Sequence, residues 1–240
     1  MKILLIGYGN MGKTIEQMAR HRGHEVAGII DKDNTQDLHQ FSGDNADVAI
    51  EFTHPEAAFH NISYCLTHGI PIVSGSTGWL DQLPEVKRIC AENQGAFFYA
   101  SNYSVGVNLF FHLNEYLASL LKRYPGYQVR MKEIHHTQKV DKPSGTAITL
   151  AEGILPYQPQ VKGWTVDNEK GAEYLHIFSE RVDQVVGTHI VSYDSEVDTI
   201  EIGHVAHSRA GFAEGAVLAA EWLQHREGVF GMKDLLNLGG

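Results

Sequence analysis

Lys2-Ile3-Leu4-Leu5-Ile6-Gly7-Tyr8-Gly9-Asn10-Met11-Gly12 is the stretch that decides the fold. Its first five residues form a continuous apolar run, the pattern of a strand buried on both faces of a parallel sheet. A full G-x-G-x-x-G follows at once, and a helical stretch runs from Met11 to about Arg22. In the order strand, glycines, helix, the motif has a mechanism. Gly7 makes the tight turn, Gly9 lets a pyrophosphate approach the backbone, and Gly12 lets helix pack on strand. The helix N-terminus receives the phosphate charge. A second strand, Glu25 to Ile30, ends at Asp31, at the spacing of the acid that grips the adenosine ribose hydroxyls. Lys32 follows directly and is placed to meet a 2′-phosphate, so NADH and NADPH are both admissible.

Outward from this unit, strands and helices alternate. Asp47 to Phe52 is a third strand, followed by Thr53-His54-Pro55 and a helix to about His68, with proline in the first turn where it is tolerated. Ile70 to Val73 delivers Ser74-Gly75-Ser76-Thr77-Gly78, a helix spans about Asp81 to Asn93, and Ala96 to Ala100 delivers Ser101-Asn102-Tyr103-Ser104. Loops at strand C-terminal ends are where a doubly wound sheet binds its ligand. Val105 to Leu121 is a helix apolar over much of its circumference, expected to be buried as the chain leaves the nucleotide domain.

From Tyr127 the pattern changes. A strand over Tyr127 to Ile134 precedes a polar loop and a helix. A loop rich in Pro, Gly and Gln (Pro156 to Gly171) comes next, then strands near Tyr174–Phe178, Thr188–Tyr193 and Thr199–His207. With no helical crossover between the last three, these read as an open mixed or antiparallel sheet. The face such a sheet leaves exposed favours self-association. Gly211 to Gln224 is helical, and Met232 to Leu236 is a short final turn. The fold class is α/β: a Rossmann-type doubly wound parallel sheet plus a second α+β domain with an open mixed sheet. The expected division is 1–103 plus 209–240 for the nucleotide domain and 104–208 for the other.

The richest chemistry lies in Glu133-Ile134-His135-His136-Thr137-Gln138-Lys139-Val140-Asp141-Lys142-Pro143-Ser144-Gly145-Thr146-Ala147. Strand side chains alternate faces, so His135 and His136 point opposite ways, one free for chemistry while the other binds or packs. Ser144 is placed to cap a helix beginning at Gly145, whose free amides make a carboxylate pocket. Adjacent strand residues do not readily share an ion, and neither HExxH nor a CxxC pair is present, so no metal is expected.

At 240 residues and 43% hydrophobic, the chain can bury one large core or two small ones. A net charge of −10 argues against nucleic-acid and anionic-membrane partners. Two cysteines, a start that goes straight into a strand, and no membrane-length apolar run point to a soluble cytoplasmic protein.

Taken together, Gly7–Gly12, Gly75-Ser76-Thr77-Gly78, Ser101–Asn108 and above all Glu133–His136 with Lys139 and Pro143–Ala147 make the chain resemble the dihydrodipicolinate reductase family nearly end to end. The resemblance implies reduction of a small cyclic dicarboxylate by NADPH or NADH in lysine and diaminopimelate biosynthesis. It implies that His135 donates the proton with Lys139 assisting, and that His136, Gly145 and Thr146 hold the substrate carboxylates. The cofactor would lie along Gly7, Tyr8, Gly9, Asn10, Met11 and Gly12, along Asp31 and Lys32, and along Gly75, Ser76, Thr77, Ala100, Ser101, Asn102 and Tyr103. Arg209 and Phe212 would close over the adenosine, and the subunits would form a homotetramer. Two domains joined by two crossings of the chain imply closure on the substrate.

The chain departs from the family's common form at Asp31, where Glu is frequent, in the short link from there to Asp47, and at Val182-Asp183 in place of Ala-Gly. Two rival readings are another small-molecule dehydrogenase on this scaffold and an NAD(P)H-sensing binding protein without turnover.

Overall fold

The computed structural model describes residues 1–167, 169–171 and 173–238, and the chain divides into two compact units, Met1–Val105 with Ala210–Gly240 and Gly106–Arg209. In the first unit, β1 (Lys2–Ile6) lies between β2 (Glu25–Ile30) and β3 (Val48–Glu51), and β4 (Ile72–Ser74), β5 (Ala96–Tyr99) and β11 (Gly228–Phe230) extend the sheet. The order is β11-β5-β4-β3-β1-β2 and every pairing is parallel. The apolar run of β1 is split between two cores, as burial on both faces requires. Ile3 and Leu5 join one core with residues of α1 (Asn10–His21) and α6 (Ala210–Leu223). Leu4 and Ile6 join the other, with residues of α2 (Pro55–Thr67) and α3 (Leu83–Glu92). Direction reverses between β1 and β3, which makes the crevice outside their carboxyl ends the ligand-binding place in such sheets. The short α7 (Met232–Leu235) follows β11.

In the second unit, α4 (Val105–Leu121) and α5 (Gly145–Ile154) share a core with one face of a five-stranded sheet. The strands are β6 (Gln128–His135), β7 (Trp164–Val166), β8 (Leu175–Arg181), β9 (Gly187–Asp194) and β10 (Thr199–Ala206), in the order β10-β9-β6-β8-β7. The sheet is mixed: β6 and β7 run parallel to β8, while β9 is antiparallel to both β6 and β10. Among the described residues no helix is long and apolar enough to cross a membrane.

Two expectations need correction. The stretch Pro156–Gly171 is not simply loop: it carries part of a 3-10 turn (Leu155–Tyr157) and β7, and its Asn168 lies outside the described residues. Nor is α4 buried all round. Phe110, Ala118 and Leu121 enter the core, but Leu109, Leu113, Tyr116 and Leu120 remain 47%, 47%, 59% and 49% exposed. One stripe of the helix packs on the sheet, and its apolar neighbours face outward.

Candidate active site

Each predicted cofactor residue of the first unit's strand loops sits at the carboxyl end of β1, β2, β4 or β5, because parallel strands deliver their following loops to one rim. Gly7 takes φ +94, and a Cβ there would meet the Phe52 carbonyl oxygen at 2.1 Å. A Cβ on Gly12 would meet the Gly7 carbonyl oxygen at 2.2 Å, while one on Gly9 would meet nothing within 4 Å. The turn is therefore closed on its protein side and open above Gly9, at the start of α1. That cradle fits a pyrophosphate taken by backbone amides. Tyr8 turns its hydroxyl back to donate to Glu16, and Asn10 and Met11 begin α1. Asp31 is half-buried and Lys32 exposed, both on the turn after β2. Asn34 braces this turn, its side-chain oxygen accepting the Asp31 amide at 2.7 Å and its amide donating to the Ile29 carbonyl at 2.9 Å.

The β4 and β5 loops are held from beneath. Glu51, fully buried at the end of β3, accepts the Ser74 hydroxyl at 2.6 Å, the Ser76 hydroxyl at 2.7 Å and the Thr53 amide at 3.0 Å. The Thr53 hydroxyl also donates to it. Ser76 is thus a buried support, while Gly75 is half-buried and Thr77 exposed. Tyr103 is likewise internal: 1% exposed, it donates to the Ser74 carbonyl at 2.7 Å and packs beside Phe52 and Phe98. Ala100 is buried, Ser101 exposed and Asn102 half-buried. Arg209 is exposed, and Phe212 is half-buried in the first turn of α6.

In the second unit, strand register assembles the chemical groups. Glu133 on β6 pairs with Ser179 on β8 and His189 on β9, and His135 pairs with Arg181. These residues continue the inward face that begins with Met131, so a face that is apolar in mid-sheet becomes charged at its end. His135 and His189 are 7% and 5% exposed and Glu133 is 0%. The histidine Nε2 atoms lie 3.3 Å apart, and Glu133 Oε2 lies 3.4 Å from His135 Nε2 and 3.7 Å from His189 Nε2. The other ring nitrogen of His135, Nδ1, is 3.3 Å from the Val186 carbonyl oxygen. Gly187 makes room for the ring, since a Cβ there would meet its Cε1 at 3.0 Å.

Glu133 is buried but not bare. Its Oε1 accepts the Ser179 hydroxyl at 2.7 Å and lies 3.6 Å from Arg181, and the Ser144 amide donates to both oxygens at 3.1 and 3.2 Å. Burial works to raise this carboxyl, yet hydrogen bonds from His135, His189, Ser144 and Ser179 hold it well below the usual carboxylate range. Burial lowers the pKa of His189, with Glu133 opposing. Arg181 also donates to the backbone carbonyls of Lys139 at 3.3 Å and Asp141 at 2.7 Å, fastening the loop that carries Lys139. Lys139 itself pairs with Asp141 at 2.8 Å.

Ser144 caps α5 as its sequence suggests, accepting the Ala147 amide at 3.2 Å. Its hydroxyl also lies 3.0 Å from His189 Nε2, so the cap joins helix to site. Among the described residues, no protein acceptor is assigned to the amides of Gly145 and Thr146, which open the helix. Gly145 is exposed, and a Cβ there would meet nothing within 4 Å. Two N–H groups at a helix start beside buried histidines suit an anionic, proton-accepting ligand. His136 is half-buried and directly follows the last residue of β6, so the strand alternation expected for it stops at His135. The roles of Glu51, Arg181 and His189 escape a reading of sequence spacing; strand pairing alone brings the last two to Glu133.

Comparison with known proteins agrees over the full chain. The family profile "Dihydrodipicolinate reductase, N-terminus" matches residues 1–103, and "Dihydrodipicolinate reductase, C-terminus" matches residues 106–236. A protein of Christiangramia forsetii named 4-hydroxy-tetrahydrodipicolinate reductase is 49% identical over 238 residues, covering 99% of this chain and 98% of the relative. A protein of the same name from Chromobacterium violaceum is 36% identical over 265 residues, covering 98% of each. Among solved structures, a dipicolinate-bound dihydrodipicolinate reductase from Paenisporosarcina sp. TG-14 shares the fold with a TM-score of 0.77 at 21% identity, over 98% of this chain and 99% of that one.

Proposed function

The chain belongs to the dihydrodipicolinate reductase family, and on that premise we propose how its residues carry out the reduction. It is an NAD(P)H-dependent oxidoreductase that reduces 4-hydroxy-tetrahydrodipicolinate in lysine and diaminopimelate biosynthesis. The glycine turn at the start of α1 would hold the cofactor's pyrophosphate, and Asp31 and Lys32 would meet the adenosine ribose. Ser76 and Tyr103 contribute as buried supports of the neighbouring loops, with Gly75, Thr77, Ala100, Ser101 and Asn102 on the rim. Arg209 and Phe212 would take part in holding the adenosine.

Bound NAD(P)H supplies the hydride. The conjugated cyclic imine left by dehydration accepts it and becomes an enamine or carbanion in need of a proton. His135 gives that proton, a task for which imidazole is suited near neutral pH. Glu133 balances the charge of the imidazolium, and Val186 orients its ring. Lys139, on the loop fastened by Arg181, offsets negative charge as it develops. The Gly145 and Thr146 amides, with His136, hold the carboxylates. The observation that carries this reading is the buried carboxylate–imidazole pair beside a helix start with two free amides.

Homotetramer formation and a cytoplasmic location are parts of the same proposal. The exposed apolar stripe of α4 and the outward face of the second sheet, with Val205 55% exposed, support association of subunits.

The test is NADPH and NADH oxidation on substrate formed in the cuvette from pyruvate and aspartate semialdehyde. The expected result is rapid turnover that falls about 10²- to 10⁴-fold in His135→Ala while cofactor affinity holds and circular dichroism reports a folded chain. Undiminished turnover in the variant would remove His135 from the mechanism.

A further inference from the structure

We propose that Nε2 of His135, Nε2 of His189 and Oε2 of Glu133 form a three-donor site for a divalent transition ion of the zinc class, and that its occupancy blocks proton donation. The geometric ground is the spacing of the donors. They lie 3.3, 3.4 and 3.7 Å from one another, so one point stands about 2.0 Å from all three. Zinc–nitrogen and zinc–carboxylate bonds are about 2.0–2.2 Å long. The donors therefore need little movement to close on an ion.

The chemistry of the set agrees with the spacing. Two imidazoles and one carboxylate suit zinc, cobalt and nickel rather than magnesium or calcium, which prefer oxygen. All three side chains are at least nine-tenths buried, and His135 and Glu133 are each fixed by a second contact, as in built metal sites. His135 Nδ1 faces the Val186 carbonyl at 3.3 Å, the tautomer that leaves Nε2 with a lone pair for the ion. Arg181 and Ser179 engage Oε1 of Glu133, while Oε2, which also accepts the Ser144 amide at 3.1 Å, is directed at the histidines. Ser144 Oγ, 3.0 Å from His189 Nε2, borders a fourth position open to its hydroxyl or a water. The nearby positive charges of Arg181 and Lys139 oppose a cation, so binding is expected in the micromolar range, not the far tighter range of structural zinc.

The binding stands on geometry alone, whereas the block rests on His135 as proton donor. An ion held by His135 Nε2 occupies the atom from which the proton leaves. The outcome is reversible inhibition with no change of fold.

Metal-free protein titrated with Co(II) provides the direct readout, because a four-coordinate site gives intense visible ligand-field bands. Those bands should saturate at one equivalent and collapse on addition of Zn(II). His189→Ala and Glu133→Gln should each weaken binding about tenfold or more. His112→Ala, an exposed histidine on α4, should keep it. His189→Gln, which retains volume and a hydrogen-bonding group, serves if the alanine variant loses its circular dichroism. Absence of the bands, or bands undiminished in a folded His189 variant, would overturn the site. In turnover assays Zn(II) should inhibit the wild type, and a chelator should restore it. Stoichiometric binding without inhibition would uphold the site but overturn the block, and with it the assignment of His135. Failure to bind Co(II) would leave that assignment standing.

Discussion

Replacing Glu51 by alanine probes how the cofactor rim is held, because one buried carboxylate gathers the ends of β3 and β4. Ser74 is 0% exposed and Ser76 5%, and both hydroxyls donate to Glu51, at 2.6 and 2.7 Å. The alanine variant leaves two buried hydroxyl donors without that acceptor, each at a cost of about 1–3 kcal/mol, and opens a small cavity. Relief from burying a charge offsets part of this loss. The net expectation is about 3 kcal/mol of destabilisation. Glu51→Gln keeps one acceptor oxygen and the side-chain shape, so it should cost about 1 kcal/mol. Urea unfolding in a Trp164→Phe background provides the assay, leaving the fluorescence of Trp79 and Trp222, both in the first unit. Trp79 is a local reporter, since its indole donates to the Ser76 carbonyl at 2.7 Å. NADPH affinity should fall along with stability as the Gly75–Thr77 turn loosens. The reasoning is refuted if the alanine variant stays within about 0.5 kcal/mol of wild type, the range of an ordinary surface substitution. It also fails if glutamine proves worse than alanine.

The glycines should separate by function: Gly9→Ala should keep the thermal midpoint but bind NADPH at least about tenfold more weakly, while Gly215→Ala should lose about 2 kcal/mol or more of stability. The contrast follows from space, since a Cβ on Gly9 meets nothing within 4 Å and one on Gly215 meets the Tyr103 carbonyl oxygen at 1.7 Å. Unfolding curves with cofactor titrations check both. Gly145→Pro should fold normally, because proline is tolerated at the first helical position and Ser144 is already extended at ψ 155. By removing one amide from the carboxylate pocket it should raise the substrate's half-saturation value about tenfold, the worth of one charge-assisted hydrogen bond, as steady-state kinetics would show. The Arg22 hydrogen bond, with His24, depresses the Glu221 carboxyl against partial burial. Its stabilisation should be fully present above the unfolded carboxylate pKa of about 4.3 and be lost as pH falls toward the folded value. Glu221→Gln should therefore cost less than about 1 kcal/mol at pH 7 and flatten the acid limb of the stability profile.

Where residues carry their own periodicity or turn chemistry, the sequence was legible. The glycine turn, the apolar β1 run and the Val105–Leu121 helix needed no tertiary information. Ser144 declared itself as a cap because its neighbours start a helix. The strands β7 and β11, three residues each, are too short to show a period, and pairing with β8 and β5 defines them. Glu51 and Glu133 are charged residues near strand ends, where side chains ordinarily reach solvent; their burial becomes sensible only once the hydroxyl and imidazole partners are assembled from other strands. Tyr103 illustrates the converse. Its place on a rim loop suggests ligand contact, whereas its ring lies inside against Phe52 and Phe98.

The first unit is completed by chain that returns only at Ala210, after the second unit's Gly106–Arg209 has intervened. Six buried residues of α6, from Ala213 to Leu223, fill the core shared with β1 and β3, and β11 covers the outer edge of β5. During synthesis at about 5–20 residues per second, that apolar surface waits roughly 5–20 s for its missing helix. The nascent nucleotide-binding sheet is then an unfinished object, its face and edge open to chaperones or to other nascent chains. A chain that stops short of α6 therefore lacks both the helix that fills this core and the strand that covers the edge of β5.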